Sequence, residues 1–258
     1  MTAGKNAKRQ EFHVVESAES LSRTAADEFV LRATDAIGKR GRFVVALSGG
    51  STPKQLFQLL ATSEYASRVD WHNVHVCWGD ERCVSPDDER SNFRMASDAL
   101  LAHVPIPAAN VHRMRGEDAP EGAATEYETE LRELFDVSDK RDNNFPSFDL
   151  ILLGLGTDGH TASLFPHSAA LYERTRWIVA EYGESVEMWR LTFTLPLINA
   201  SRRVLFLVAG ADKADVVRDI RSPIIARDPL PAELVAPDHG VVHWLFDKDA
   251  YSKMPSPK

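Results

Sequence analysis

The chain has 258 residues, of which 43% are hydrophobic and 26% are charged, a composition typical of a globular protein large enough to bury a sizeable core. Its formal net charge of −8 argues against general nucleic-acid binding, which usually needs a basic face. The two cysteines indicate no disulfide framework, and no apolar stretch approaches the length of a transmembrane helix. We therefore expect a cytoplasmic enzyme or binding protein with no membrane or nucleic-acid partner.

Both ends of the chain are polar. Residues 1–11 are basic but lack the apolar segment of a secretory signal, and residues 249–258 end in SKMPSPK. We expect both segments to be mobile tails, on either side of a single domain that spans residues 12–248.

Within this domain, apolar runs of strand type alternate with helical patterns. Strands are expected at residues 12–15, 43–47, 74–78, 150–153, 204–208 and 241–246, with weaker strand-like runs at 111–114, 177–180 and 191–195. Helical patterns cover residues 20–37, 53–60, 91–101, 121–135 and 213–220. This alternation, with no repeat and no linker-like stretch, predicts one α/β domain with a mostly parallel sheet flanked by helices.

The stretch 148–166, with the sequence FDLILLGLGTDGHTASLFP, ends a buried strand in glycines and then presents Asp158 and His160. Ligands of open parallel sheets gather at the carboxyl ends of the strands, where these side chains fall. If a short helix begins near Asp158, its dipole keeps the imidazole of His160 neutral, as a general base requires. We predict that His160 is catalytic, and that Asp158 either caps this helix or orients the imidazole.

Two other interpretations of the histidines and glycines are less favourable. Residues 154–159 match G-x-G-x-x-G, but a dinucleotide-binding turn needs a long helix next, and Pro166 limits any helix here to about two turns. The histidine pairs lack a carboxylate at ligand spacing, which disfavours a metal site. Asp80 and Glu81 are adjacent in sequence, so their side chains diverge and chelate Mg²⁺ poorly.

The loop after the strand at residues 43–47 suits an anion. It ends just ahead of a helix whose first turn accommodates Pro53 and whose expected cap is Ser51 or Thr52. Free backbone N–H groups and the helix dipole favour phosphate at such a position, although an ordinary capped turn has the same sequence features. The candidate substrate-binding residues of this loop are Ser48, Gly49, Gly50, Ser51 and Thr52.

Charged residues follow two more strands. Asp80, Arg82 and Arg94 lie near the end of one strand, and Lys213 follows a later one. Arginine suits bidentate recognition of phosphate or carboxylate, and a lysine at a helix start is electrostatically unusual. The alternatives are a carboxylate–arginine ion pair that holds the loops and a solvated lysine. We include all four residues in the candidate substrate site.

Several motifs together resemble the 6-phosphogluconolactonase family. They occur in the family's order, as ALSGGSTP at 46–53, WGDER at 78–82, SNF at 91–93, LGLGTDGHTASLFP at 153–166 and VAG at 208–210 with Lys213. The resemblance covers residues 12–246. It implies a fold similar to glucosamine-6-phosphate deaminase and ribose-5-phosphate isomerase, and hydrolysis of 6-phospho-D-glucono-1,5-lactone to 6-phosphogluconate in the oxidative pentose phosphate pathway.

The same resemblance implies roles for individual residues and no metal or other cofactor. His160 would activate water, while Arg82, Lys213 and the loop at residues 48–52 would hold the phosphate and ring hydroxyls. A glucosamine-6-phosphate deaminase is the nearest alternative, but the Asn and Glu that such enzymes use in ring opening are missing after His160. A non-catalytic sugar-phosphate sensor usually carries a DNA-binding helix-turn-helix, for which residues 1–11 are too short. The oligomeric state stays open between a monomer and a small homo-oligomer.

Overall fold

The computed structural model describes residues 9–137, 144–221 and 228–254. Its strands are β1 (Arg9–Val15), β2 (Phe43–Leu47), β3 (Val74–Trp78), β4 (Asp80–Arg82), β5 (Leu150–Leu153), β6 (Ile178–Gly183), β7 (Met188–Phe193), β8 (Arg203–Val208) and β9 (Val241–Asp247). Its helices are α1 (Ala18–Arg40), α2 (Ser51–Leu60), α3 (Ser63–Ala66), α4 (Asn92–Ala99), α5 (Pro120–Leu134), α6 (Leu195–Asn199) and α7 (Ala214–Arg221). None of the helices in these residues is long and apolar enough to cross a membrane.

Six strands form a central sheet in the order β1-β9-β8-β5-β2-β3, and all neighbours are parallel. In β5, Ile151 and Leu153 pack into the core cluster on one face, while Leu150 and Leu152 pack into the cluster on the other. Because both faces are covered, the strand needs a continuous apolar run, and each fully buried leucine contributes about 1.5–3 kcal/mol. The prediction of a mostly parallel sheet flanked by helices is confirmed.

A smaller antiparallel sheet, in the order β4-β7-β6, packs beside the parallel one. The charged segment after β3 is itself strand β4, separated from β3 only by Gly79. Its register pairs Asp80 with Thr192 and Arg82 with Arg190. A charged strand of three residues carries no hydrophobic alternation, so the sequence pattern does not indicate it. The run at residues 111–114 forms only a single bridge to β3.

The domain extends beyond the boundaries set from sequence. Strand β1 begins at Arg9 rather than Phe12, because it is held by main-chain pairing to β9 and not by an apolar pattern. At the other end, Ala250 is fully buried and the Tyr251 ring lies 5.3 Å from that of Phe246. The remaining parts of the two expected tails, residues 1–8 and 255–258, lie outside the described residues.

Candidate active site

A cleft of about 370 Å³ lies at the carboxyl edge of the parallel sheet, where β2, β5 and β8 end. The lining comes mainly from the loop that enters α2, strand β4, the turn after β5 and the end of β8 with the segment after it, and α4 and β7 add single residues. The lining includes most of the predicted site residues, namely Ser48, Gly49, Gly50, Ser51, Thr52, Asp80, Arg82, His160 and Lys213. Groups that are far apart in the chain therefore meet because parallel strands end at one edge.

The turn after β5 holds an imidazole–carboxylate pair. Oδ1 of Asp158 lies 2.6 Å from Nδ1 of His160 and 3.1 Å from its backbone nitrogen. Burial alone raises the pKa of Asp158, but the hydrogen bonds from the side chain and backbone of His160 outweigh it, so the net pKa is lowered. An ionised carboxylate at Nδ1 favours the tautomer whose lone pair is on Nε2, the form in which histidine accepts a proton.

Residues 157–165 form tight turns and not the short helix considered from sequence. The hydroxyl of Thr161 donates to the carbonyl of Gly154 over 2.9 Å, a strand-like bridge joins Thr161 to Leu164, and Ala162 has a φ of 49°. A helix dipole therefore does not explain a neutral imidazole, and Asp158 has no α-helix to cap. Of the two roles left open for Asp158, its contact with the imidazole is the one that the geometry supports.

Two glycines of this turn have steric reasons to be glycine. A Cβ at Gly156 would lie 2.1 Å from Nδ1 of His160 and 2.6 Å from Oδ1 of Asp158. Gly159 has a φ of 83°, which side chains rarely adopt, and a Cβ there would meet Leu230 at 2.8 Å. Gly156 thus makes room for the His160–Asp158 pair and Gly159 for Leu230, which accounts for two of the three glycines of the motif without a dinucleotide.

The loop after β2 leaves a helix end open toward the cleft. The N-cap of α2 is Gly50, with a φ of 106° and no side-chain hydrogen bond, so the expectation that Ser51 or Thr52 caps the helix is wrong. The reason is that both residues already lie inside the first turn. Because the first N–H groups of a helix lack intrahelical partners, this end is suited to an anion. A Cβ at Gly49 would lie 1.9 Å from Oδ1 of Asn92, so the loop and α4 fit closely.

Asp80 lines the cleft and Glu81 does not, although both side chains accept hydrogen bonds from Asn92. Asp80 is buried in the floor of the cleft, where Oδ2 accepts from the Ser163 hydroxyl at 2.8 Å and Oδ1 from the Asn92 amide at 3.3 Å. Glu81 instead accepts from the backbone N–H groups of Asn92 and Phe93, each at 2.7 Å, at the start of α4. Burial raises the pKa of Glu81, against the lowering effect of these hydrogen bonds.

A second arginine lies beside Arg82 in the cleft, and the sequence did not indicate it. Arg190 lies opposite Arg82 in the β4–β7 register, and both line the cleft. Within the described residues, the buried Nε atoms of both have no hydrogen-bond partner, although Nη1 of Arg82 donates to the carbonyl of Arg90. Burial, together with the Arg82 charge, lowers the pKa of Arg190. Two adjacent guanidiniums with free buried donors form a site for an anion.

Lys213 and Arg94 lie in different surroundings. Lys213 lines the cleft from the single 3₁₀ turn before α7, and its Nζ lies 3.0 Å from Oδ2 of Asp212. Arg94 is not among the lining residues, because Nη1 donates to the carbonyl of Asp87 at 2.6 Å and Nε lies 3.6 Å from Asp98. The structure therefore places the predicted binding residue Arg94 outside the cleft.

These features together define a class of protein. An imidazole–carboxylate pair stands at the carboxyl edge of a parallel sheet, beside two guanidiniums and an open helix end. No group of three or more His, Cys, Asp or Glu side chains in residues 9–137, 144–221 and 228–254 is arranged to hold a metal ion. The fold and the cleft are those of an α/β enzyme that acts on a small anionic substrate.

Comparison with known proteins identifies the family. The model of the family described as glucosamine-6-phosphate isomerases/6-phosphogluconolactonase matches residues 16–244, and the chain therefore belongs to this family. It is 48% identical to 6-phosphogluconolactonase of Synechocystis sp. over 85% of this chain and 88% of the relative. It is 40% identical to the enzyme of Haemophilus influenzae over 80% of this chain and 85% of the relative.

Solved structures agree with the family assignment. The 6-phosphogluconolactonase from Trypanosoma cruzi has a TM-score of 0.85 at 27% identity, with 98% of this chain and 100% of that chain covered. A monomeric glucosamine-6-phosphate deaminase has a TM-score of 0.75 at 22% identity, with 94% and 99% covered, and shows the shared fold alone. The predicted resemblance to the deaminase fold and to 6-phosphogluconolactonase is confirmed.

Proposed function

We propose that this chain hydrolyses 6-phospho-D-glucono-1,5-lactone to 6-phospho-D-gluconate, with His160 as general base, in the oxidative pentose phosphate pathway. The observation that carries the proposal is the 2.6 Å contact between Asp158 and Nδ1 of His160 in a cleft that also holds Arg82 and Arg190. A base next to unneutralised guanidiniums suits a substrate that has both a phosphate and an electrophilic carbon. The names of the relatives above agree with this substrate.

In the proposed reaction, Nε2 of His160 takes a proton from water while the water oxygen bonds to the lactone carbonyl carbon. The tetrahedral intermediate then collapses, the bond from this carbon to the ring oxygen breaks, and the imidazolium returns its proton to that oxygen. A lactone has a leaving group good enough that no covalent nucleophile is required. The carboxylate of Asp158 stabilises the imidazolium, and general-base catalysis of this kind contributes about 10²–10⁴-fold.

The substrate phosphate binds, in this proposal, to Arg82 and Arg190. Their buried Nε donors lack partners within the described residues, and a phosphate dianion supplies acceptors for both while offsetting their mutual repulsion. The open start of α2 at Ser51 and the ammonium of Lys213 lie at other parts of the same cleft and are available to the ring hydroxyls and carbonyl. Asp80 is held by Ser163 and Asn92, so it shapes the floor of the cleft.

Two other functions fit the site less well. A deaminase or isomerase of the same fold opens a sugar ring and needs additional acid–base groups beside the histidine. The lining after His160 consists of Thr161, Ala162, Ser163 and Phe165, which includes no carboxylate. A sensor that does not catalyse a reaction has no need for an exposed imidazole–carboxylate pair at the edge of the cleft.

A coupled assay tests the proposal. The lactone is generated from glucose 6-phosphate by its dehydrogenase, the product is read out by 6-phosphogluconate dehydrogenase, and spontaneous hydrolysis is subtracted. We expect enzyme-dependent turnover of the lactone and no ammonia release from glucosamine 6-phosphate. Ammonia release without lactone turnover would assign the chain to the deaminases, and inactivity on both substrates would contradict an enzymatic role.

A further inference from the structure

A second pocket lies at the amino edge of the parallel sheet, opposite the cleft of His160. A charged residue directly precedes each of three neighbouring strands: Arg42 precedes β2, Asp149 precedes β5 and Arg202 precedes β8. These side chains and Arg40, the last residue of α1, line a pocket of about 240 Å³. The other lining residues are Val44, Phe135, Val137, Pro146 and Ser147. We call this the amino-edge pocket.

The charges of the amino-edge pocket do not balance. Asp149 is buried, and its Oδ1 lies 2.8 Å from Nη2 of Arg40 and 3.4 Å from Nε of Arg202. Its Oδ2 accepts from the backbone N–H of Val44 at 2.9 Å. Among the described residues, no carboxylate lies within ion-pair distance of Arg42. Among the described lining residues, three guanidiniums therefore share one carboxylate, in a chain whose formal net charge is −8.

The opposite wall of the amino-edge pocket is apolar. Phe135 is half-buried and packs edge-on against Phe148, with 5.0 Å between the ring centroids, so the orientation of its ring is held. The guanidinium of Arg42 lies 5.9 Å from the centroid of Phe135, and Pro146 is buried beside them. Ion pairing with Asp149 accounts for Arg40 and Arg202, but it does not account for a third arginine held over an aromatic ring.

We propose that the amino-edge pocket binds a small phosphate monoester that carries a flat apolar ring. The phosphate dianion is held by the guanidiniums of Arg42 and Arg202, and the ring packs against Phe135. A dianion neutralises the surplus of two positive charges, and guanidiniums bind phosphate through paired hydrogen bonds. The volume is below the ~300–1,000 Å³ of pockets for drug-sized ligands, which restricts the ligand to a small molecule. This site is independent of the reaction proposed for His160.

Phenyl phosphate is the probe, because it combines a ring with a phosphate dianion. Calorimetric titration of the full chain should detect its binding, with inorganic phosphate at least about tenfold weaker and phenol showing no binding, since each lacks one of the two contacts. The substitution Arg42→Gln should weaken phenyl phosphate binding about tenfold or more. Arg23→Gln, on the exposed face of α1, is the matched control and should leave the binding constant unchanged.

Because the cleft of His160 also suits phosphate, the location of the probe is measured directly. Backbone amide NMR shifts of Val44 and Asp149 should move on titration in the Arg82→Gln variant, and thermal unfolding of each variant shows that it is folded. Arg202→Gln provides a second test of the phosphate contacts if Arg42→Gln lowers the unfolding temperature. The proposal is overturned if phenyl phosphate does not bind at millimolar concentration, if Arg82→Gln abolishes binding, or if neither Arg42→Gln nor Arg202→Gln weakens it.

Discussion

Within the described residues, three histidines have a carboxylate oxygen close to Nδ1, and two of these pairs, His160–Asp158 and His243–Glu28, lie in very different surroundings. Asp158 lies 2.6 Å from Nδ1 of His160, and Glu28 lies 2.8 Å from Nδ1 of His243. In the first pair the side chains are 35% and 44% exposed, and the imidazole lines the cleft. In the second they are 9% and 10% exposed. A short contact between an imidazole and a carboxylate therefore does not by itself indicate catalysis.

The charged neighbours of the two pairs explain the difference. Glu28 also forms ion pairs with Arg203 and Arg32, so the second pair belongs to a buried ion-pair network that links α1 to β8 and β9. Burial alone raises the pKa of Glu28, but the hydrogen bond from His243 and the charges of the arginines lower it to about 2. In the cleft, the arginines near His160 have donors without partners in the described residues. Both arginines that contact Glu28 are ion-paired, whereas Arg82 and Arg190 form no ion pair within the described residues.

The largest expected effect is on activity, and we expect it for the His160–Asp158 pair. The substitution His160→Ala should lower kcat for the lactone by about 10²–10⁴-fold, because it removes the general base, and leave the unfolding temperature nearly unchanged. His72→Ala, which removes another exposed imidazole, is the control and should retain full activity. Activity of His160→Ala within about threefold of the unmodified chain would remove His160 from the mechanism.

The next largest effect is on stability, and we expect it for the His243–Glu28 pair. The substitution Glu28→Gln should lower the free energy of unfolding at pH 7 by about 1.5–3 kcal/mol, because it removes the more buried of the two carboxylates, Glu28 and Glu11, that pair with Arg203. Urea unfolding followed by circular dichroism measures this, with Glu19→Gln on the exposed face of α1 as the control. The turnover of lactone should change little, since this network does not line the cleft.

The pH dependence of stability tests the same network. The folded-state pKa of Glu28 is about 2, below the ordinary value of 4.5, so the unfolded chain binds this proton more readily. The stabilisation from Glu28 is therefore fully present above pH 4.5 and is lost as the pH falls toward 2. The unmodified chain should lose more unfolding free energy across this window than Glu28→Gln does. Equal losses in the two proteins would show that Glu28 is not stabilised by its partners.

How much of the fold and of the candidate site could be predicted from the sequence depends on whether a residue's contacts are with residues nearby in the chain. Strand β5 and the position of His160 follow from one continuous stretch, because an apolar run ended by glycines determines both. Arg190 lies inside β7, and only the antiparallel pairing with β4 brings it to Arg82. Arg94 was predicted to bind substrate from its nearness to residues 79–82, but the direction of its side chain depends on how α4 is oriented.

The role of Asp158 also depends on contacts that the local sequence does not reveal, although these contacts lie within a single turn. The sequence indicates that a carboxylate lies two residues before His160, but not whether a helix or a turn follows. That choice depends on the hydroxyl of Thr161 bonding to Gly154 and on the left-handed backbone of Ala162. Non-glycine residues adopt such a backbone only when surrounding contacts require it, which a local pattern does not reveal.

A smaller effect on activity tests the role of the Asp158 carboxylate. The substitution Asp158→Asn should lower kcat about 10–100-fold and leave KM nearly unchanged, because an amide orients the imidazole but does not stabilise its charged form. An unchanged kcat in Asp158→Asn would show that the contact with Nδ1 has only a structural role.

The smallest expected effect is on binding of the substrate phosphate. It depends on the two cleft arginines, whose buried Nε donors lack partners within the described residues. The substitution Arg190→Gln should raise KM for the phosphorylated lactone about tenfold and change kcat little, because it removes uniform binding of a remote group. Arg82→Ala should act in the same direction. Unphosphorylated glucono-1,5-lactone should show no comparable loss in either variant, and Arg94→Gln should behave as the unmodified chain. If Arg190→Gln weakened both lactones equally, the two guanidiniums would bind the sugar ring and the phosphate would lie nearer Lys213.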